Sequence, residues 1–356
     1  MLLSKPIAVG RLRLRNRIVL PPLVAWAARE DGIVSEYNLK HYATFQDVGL
    51  VVVEATAVSP EGRLSQRQIG AFDDGHLAGL TKLADVIHAT GAVAAIQLHH
   101  AGGSTNLQNT FGLPLWAPSA VTRGKDLPQE LTQGEIRRII ADFVAAAKRV
   151  VQAGFDAIEL HGAHGYLVSQ FLSPALNRRE DEYGGSLANR ARFALELFRA
   201  VQDAVGNECL VYMRLGVADG IADGLTIEEG QQVARWLGDA GMELLNISSG
   251  VGGAPAAIDA NSQWSSIMQL AGAVKAVVDV PVIGVNGIKH PEQAEQALAE
   301  GVADLIAVGR AMLADPLWAK KALQEEHDQI SLCRGCPRCG HYKHPFTCPA
   351  RPEGLA

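Results

Sequence analysis

Eight short apolar runs, nearly all followed by a stretch of helical periodicity, constrain this chain more than any other feature. The runs fall at 18–20, 50–55, 92–98, 157–160, 210–215, 244–247, 281–285 and 305–308. Helical patterns occupy 77–90, 132–153, 187–205, 227–240, 265–278 and 291–300. Strands buried on both faces read as unbroken apolar runs, the pattern of a parallel sheet covered by helices. Thr132 with Glu135 and Thr226 with Glu229 have capping-box spacing, in which each side chain satisfies a free N–H of the first turn. Gly91, Gly154, Gly206, Gly241 and Gly301 stand where helices give way to strands, a place that suits a left-handed residue. Eight such units close best as a (β/α)8 barrel of the TIM type. A doubly wound open sheet is the competitor, and it is weakened because no strand leads into Gly-x-Gly-x-x-Gly at a helix start. The length of 356 residues is too great for an average domain but suits one barrel.

Three segments fall outside the eight units. Residues 5–16 read as a short hairpin that plugs the bottom of the barrel. Residues 99–130 form a long loop after the third strand, on the face where a barrel builds its site. Residues 331–356 form a cysteine-rich tail, which divides the chain into a barrel over 1–330 and a tail over 331–356. A net charge of −6 argues against nucleic acid, which calls for a basic face. No apolar run is long enough to span a bilayer, and the first six residues lack the apolar core of a signal peptide. The expectation is a cytoplasmic protein with a small-molecule substrate and neither nucleic acid nor membrane as partner. A homo-oligomer and an electron-transfer partner stay open.

The strand ends carry the chemistry. The fourth run ends in His161-Gly162-Ala163-His164-Gly165-Tyr166, two histidines and a tyrosine among glycines. Such a cluster could merely cap a loop, but grouped titratable side chains at a strand end more often mark a site. The other ends give Pro21, Pro22, Leu23, Val24 and Trp26; Glu54 to Ala57; Gln97 with His99 and His100; Arg214; Asn246 with Ser248, Ser249 and Gly250; Gly287; and Gly309 with Arg310. Glycines after strands six to eight, with one arginine, suit a phosphate held by backbone N–H groups. The opposite half supplies one amide, one arginine and apolar backbone, a floor for a flat hydrogen-bonding ring. Together they suggest flavin mononucleotide (FMN).

Several motifs in order sharpen this. They are Leu14-Arg15-Asn16-Arg17-Ile18-Val19, Gln97-Leu98-His99-His100-Ala101-Gly102, the His161 to Leu167 segment, Phe171-Leu172-Ser173-Pro174, Asn177 to Ser186, and Val308-Gly309-Arg310. On them the chain resembles the Old Yellow Enzyme family of FMN-dependent ene-reductases over residues 1–330, nearest its bacterial thermophilic-like branch. The resemblance implies that Pro21, Pro22, Leu23, Val24 and Ala57 line the isoalloxazine and that Gln97 bonds its pyrimidine edge. It implies that Arg214 faces N1 and O2, where a fixed cation favours the reduced ring, and that Gly309 and Arg310 hold the phosphate. His161 and His164 would bond the substrate oxygen. Hydride taken from NAD(P)H would reach the β-carbon from flavin N5, and Tyr166 would protonate the α-carbon. Where the family commonly has Thr or Cys bonding flavin O4, this chain has Val24, which cannot donate, so a lower potential is expected. Trp26 replaces a tyrosine common in the nearest branch and presents N–H in place of O–H to the substrate.

Cys333-x2-Cys336-x2-Cys339-x8-Cys348 is a metal-ligand spacing, suited to a [4Fe–4S] cluster or to tetrahedral zinc, with an unmetallated tail as the third alternative. The tail resembles the cluster-bearing segment of larger relatives such as 2,4-dienoyl-CoA reductase and trimethylamine dehydrogenase, with a shorter last spacing. His341 and His344 read as solvated loop residues and Cys209 as core. The expected function is reduction of activated C=C bonds in unsaturated carbonyl or nitro compounds. The alternatives are a dienoyl-CoA reductase-like or amine dehydrogenase-like flavoenzyme, and a flavin and metal electron-transfer subunit.

Overall fold

The hairpin at the start of the chain is β1 (Ile7–Val9) against β2 (Leu12–Leu14), and it leads straight into the barrel. The computed structural model describes residues 1–342 and 346–352. Barrel strands β3 (Ile18–Leu20), β4 (Leu50–Ala57) and β5 (Val93–His99) come first. A small parallel pair, β6 (Trp116–Ala117) with β7 (Gln129–Glu130), sits in the long loop after β5. Then come β8 (Ala157–Gly162), β9 (Leu210–Gly216), β10 (Leu245–Ser248), β11 (Val282–Val285) and β12 (Leu305–Ala307). The eight barrel strands pair in sequence order, all parallel, and β12 closes on β3. This is the expected (β/α)8 barrel.

The helices fall where the periodicity put them: α2 (Leu77–Ala89), α3 (Gln133–Gln152), α5 (Leu187–Val205), α6 (Ile227–Asp239), α7 (Ser266–Lys275) and α8 (Pro291–Ala299). Both capping boxes form, at Thr132 and Thr226. The five glycines between helices and strands all take positive φ. The sequence pattern did not show α1 (Glu36–Ala43), α4 (Leu167–Leu172), α9 (Arg310–Ala314) or α10 (Trp318–Leu323). Among the described residues no helix is long and apolar enough to cross a membrane.

Two cores hold the fold. The outer one lies between strands and helices. The inner one fills the barrel, and Val9 and Leu14 of the hairpin pack there with Leu50, Ala95, Ala157, Leu210 and Leu305. The hairpin therefore plugs the barrel, as expected for residues 5–16. The other end is left to polar side chains.

Candidate active site

Side chains on a strand alternate between faces. Ala95 and Ala157 point into the barrel, so Gln97 and His99 on β5, and Glu159 and His161 on β8, point inward above them. The register sets Gln97 beside Glu159, and His161 beside Arg214. Gln97 Nε2 donates to Glu159 Oε2 at 2.6 Å, and Asn246 Nδ2 donates to Glu159 Oε1 at 2.7 Å. Glu159 is wholly buried. Burial raises its pKa, and Arg214, Asn246 and Gln97 pull the other way. Burial likewise lowers the pKa of Arg214, opposed by Glu159. Arg214 Nε and Asn246 Oδ1 are buried without a hydrogen-bond partner among the described residues. Buried polar atoms are seldom left unpaired, and both of these lie in this layer.

Above that layer three imidazoles form a chain. His99 Nδ1 lies 2.9 Å from His161 Nδ1, His161 Nε2 lies 2.9 Å from His164 Nδ1, and His164 Nε2 lies 2.8 Å from Ser248 Oγ. Burial holds all three rings well below the usual histidine range, His99 at about 3, so each is neutral. The Tyr166 ring stands edge-on to His99 at 4.5 Å and to His161 at 4.9 Å. Burial raises the Tyr166 pKa, so its phenol keeps its proton at neutral pH. His164 takes a left-handed φ of 61°, with its N–H on Ser249 O at 2.9 Å. That conformation costs on the order of 1–2 kcal/mol outside glycine, and such strain gathers at functional positions.

These groups open onto a cavity of about 640 Å³. Its wall carries Pro21, Pro22, Leu23, Val24 and Trp26 from the loop after β3, with Gln97, His161, His164, Tyr166, Arg214, Ser249, Gly287, Gly309 and Arg310. Among the described residues, Trp26, His164 and Asn286 are three of seven non-glycine residues at positive φ, and all three line this cavity. Two of the sequence expectations fall elsewhere. Ala57 is buried off the wall, pairing with His99 and Gly70. The register shifts between Val53 and Thr56, where β4 carries one extra residue, and such a bulge exchanges inward and outward faces. Ala55 takes the wall position instead. Gly250 is also off the wall. Its N–H bonds Ala218 O at 2.8 Å, and a Cβ there would lie 2.1 Å from Asp219 Oδ1, so loop packing requires this glycine. Glu159, Ser248 and Tyr342 were not singled out for roles from the sequence. The signal for Glu159 was its place two residues before His161 on one strand.

Glu54 holds the Trp26 side of the cavity from beneath. Its carboxylate accepts from Ala25 N at 2.8 Å and from Asn38 Nδ2 at 3.3 Å, and burial pushes its pKa up to about 7. The unfolded chain releases this proton near 4.5, so between there and about 7 the folded state binds more protons. Stability contributed by the protonated group is then lost as pH rises through that window, by about 3 kcal/mol for such a shift. Glu54→Gln removes the group. Denaturant unfolding of wild type should weaken from pH 5 to pH 8 by about that much more than the variant. Equal pH slopes would assign the loss to other groups.

The tail returns to the same end of the barrel. Cys333, Gly335 and Tyr342 line the large cavity. Cys333, Cys336, Cys339 and Cys348 together line a smaller one, which shares Cys333 and Arg310 with it. Among the described residues no three His, Cys, Asp or Glu side chains are gathered as one ion needs. All five cysteines are free thiols, and Cys209 is buried, as expected of a core residue. His341 departs from expectation: it is buried, its ring 5.2 Å from that of His41 on α1. His344 lies outside the described residues. Phe346 completes the dock, 6.2 Å from Tyr37 and 6.4 Å from His41.

The mouth of this barrel thus joins a buried cation, an amide floor and paired histidines. Residues 2–329 match the profile of the NADH:flavin oxidoreductase / NADH oxidase family, and the chain belongs to that family. The NADH oxidase of Thermoanaerobacter brockii is 42% identical over 335 residues, which cover 92% of this chain and 52% of that protein. The chain thus spans about half the length of this curated relative. A solved 2-naphthoyl-CoA reductase in complex with 2-naphthoyl-CoA superposes with a TM-score of 0.89 at 30% identity, covering 97% of this chain and 55% of that one. The Old Yellow Enzyme homologue from Zymomonas mobilis gives 0.80 at 28% identity, covering 91% of this chain and 92% of its own. Morphinone reductase in complex with tetrahydroNAD gives 0.79 at 28%, covering 91% and 90%.

Proposed function

We propose that this chain is an FMN-dependent ene-reductase that uses NAD(P)H to reduce C=C bonds conjugated to a carbonyl or nitro group. The observation that carries the reading is the convergence of His161 Nε2 and His164 Nδ1, 2.9 Å apart on the wall beside Tyr166. Two neutral imidazoles can each offer one N–H to the same substrate oxygen, and that support strengthens as the oxygen gains charge. The residues present fit a flavin. Gln97 and Arg214 would bond its pyrimidine edge and Pro21 to Val24 would pack along it. Gly287, Gly309 and Arg310 would take the phosphate. When bound, FMN supplies hydride chemistry between NAD(P)H and the substrate β-carbon. Tyr166 holds a proton near the same oxygen donors and delivers it to the α-carbon. Trp26, Leu64 and Ile267 give the substrate apolar walls. Val24 offers no donor, so the reading includes a potential below that of relatives with Thr or Cys there.

The spacing of the four cysteines and their place around one cavity support a second redox group, for which the tail would have to draw them closer than the described residues stand. Four cysteines can each supply a thiolate to a cluster, and they line one cavity adjoining the flavin site. The reading assigns a [4Fe–4S] cluster held by Cys333, Cys336, Cys339 and Cys348, with the tail as its own unit over 331–356. Structural zinc is the alternative. A second substrate reading, an aromatic or conjugated acyl-CoA thioester, is favoured by the likeness to 2-naphthoyl-CoA reductase. The same histidine pair would polarise a thioester carbonyl. Steady-state assays of the flavin-loaded protein with 2-cyclohexenone and with 2-naphthoyl-CoA separate the two. Turnover of neither, with flavin bound and reducible, would leave an electron-transfer role.

A further inference from the structure

The histidine pair can serve an anionic oxygen only if each ring carries its proton on the nitrogen that faces the site. A neutral imidazole has one N–H, so that choice is made by whatever bonds the other nitrogen. For His161 the other nitrogen is Nδ1, which meets His99 Nδ1 at 2.9 Å. His99 is wholly buried, and its Nε2 has no hydrogen-bond partner among the described residues. A proton there would be a buried N–H without an acceptor, rarer than a bare acceptor. The His99 proton therefore sits on Nδ1 and is donated to His161, whose own proton must then be on Nε2.

His164 is set differently. Its Nε2 meets Ser248 Oγ at 2.8 Å, and a hydroxyl either donates or accepts. With no anion between the rings, His161 Nε2–H donates to His164 Nδ1 and His164 Nε2–H donates to Ser248. Two donors facing one oxygen require the other His164 tautomer, with its proton on Nδ1 and Ser248 donating to Nε2.

We propose that His99 and Ser248 are positioning residues for the pair: His99 fixes His161 as an Nε2–H donor, and Ser248 reverses its hydroxyl so that His164 presents Nδ1–H to a negatively charged oxygen. The proposal rests on the ene-reductase reading for the purpose of the pair, though not for the protonation pattern itself. His99 touches no substrate, since it lies behind His161 and off the cavity wall.

The test uses oxidised flavin-loaded enzyme with 15N-labelled histidine, and 4-hydroxybenzaldehyde as a phenolate probe. The 15N shifts should show His161 protonated at Nε2 with and without the probe, and His164 moving its proton from Nε2 to Nδ1 when the probe binds. His99→Leu should raise the phenolate Kd about 10- to 100-fold, by analogy with other outer partners of functional histidines, while flavin stays bound. His99→Asn, whose amide still donates, should recover most of the affinity. Ser248→Ala and Ser248→Thr should behave as the same kind of pair. A wild-type His161 protonated on Nδ1 would overturn the proposal, as would equal weakening by the Leu and Asn variants. If no phenolate binds but His99 and His161 show the assigned protons, the ene-reductase reading fails while the His99 assignment stands.

Discussion

His161→Ala and His164→Ala, made separately, should each slow reoxidation of the reduced enzyme by 2-cyclohexenone roughly 30- to 1000-fold. That is about 2–4 kcal/mol for losing one donor to a developing oxyanion. Flavin should remain bound, because neither histidine belongs to the Gln97–Glu159–Asn246 floor. Phenolic inhibitors should weaken in parallel, since a phenolate meets the same two donors. Stopped-flow measurement of each half-reaction checks this. Loss of flavin without a selective defect in reoxidation would mean that the pair is structural.

The second large effect lies in the tail. Anaerobically purified protein should carry about four irons per chain, the content of a four-thiolate cubane. Cys336→Ser should abolish them and leave the flavin in place. Cys336 is not among the residues lining the large cavity, although Arg310 lines both that cavity and the one around the four cysteines. About one tightly held zinc would replace the cluster by a structural site, since zinc carries no redox chemistry. Four thiols freely alkylated in native protein, with neither metal, would refute the metal reading and leave the barrel's function untouched.

The barrel was legible because each of its strands is an apolar run and six of its helices carry an amphipathic stripe. Helix α1 was not. Its buried residues are Asn38, His41 and Tyr42, so it shows no apolar periodicity, and its purpose is tertiary. Asn38 braces Glu54, and His41 receives the tail. At the site, strand-end position revealed His161, Gln97 and Arg214, but not the bulge in β4 that puts Ala55 where Ala57 was expected. Nor could spacing show that His341 is buried against α1, or that Tyr342 reaches the cavity, because both follow from how the tail folds back. The His99–His161–His164–Ser248 chain joins three strand ends, and only the barrel's closure brings them together.

The central claim is that this barrel binds FMN and passes hydride from NAD(P)H to an activated alkene. The most direct measurement is an anaerobic ultraviolet–visible titration of the purified protein, with the cofactor extracted and identified afterwards. About one FMN per chain is expected, as for a tightly held cofactor. NAD(P)H should bleach its bands, and 2-cyclohexenone or a conjugated acyl-CoA should restore them. A colourless protein that cannot be reconstituted with FMN, or a reduced flavin that no conjugated alkene reoxidises, would contradict the account.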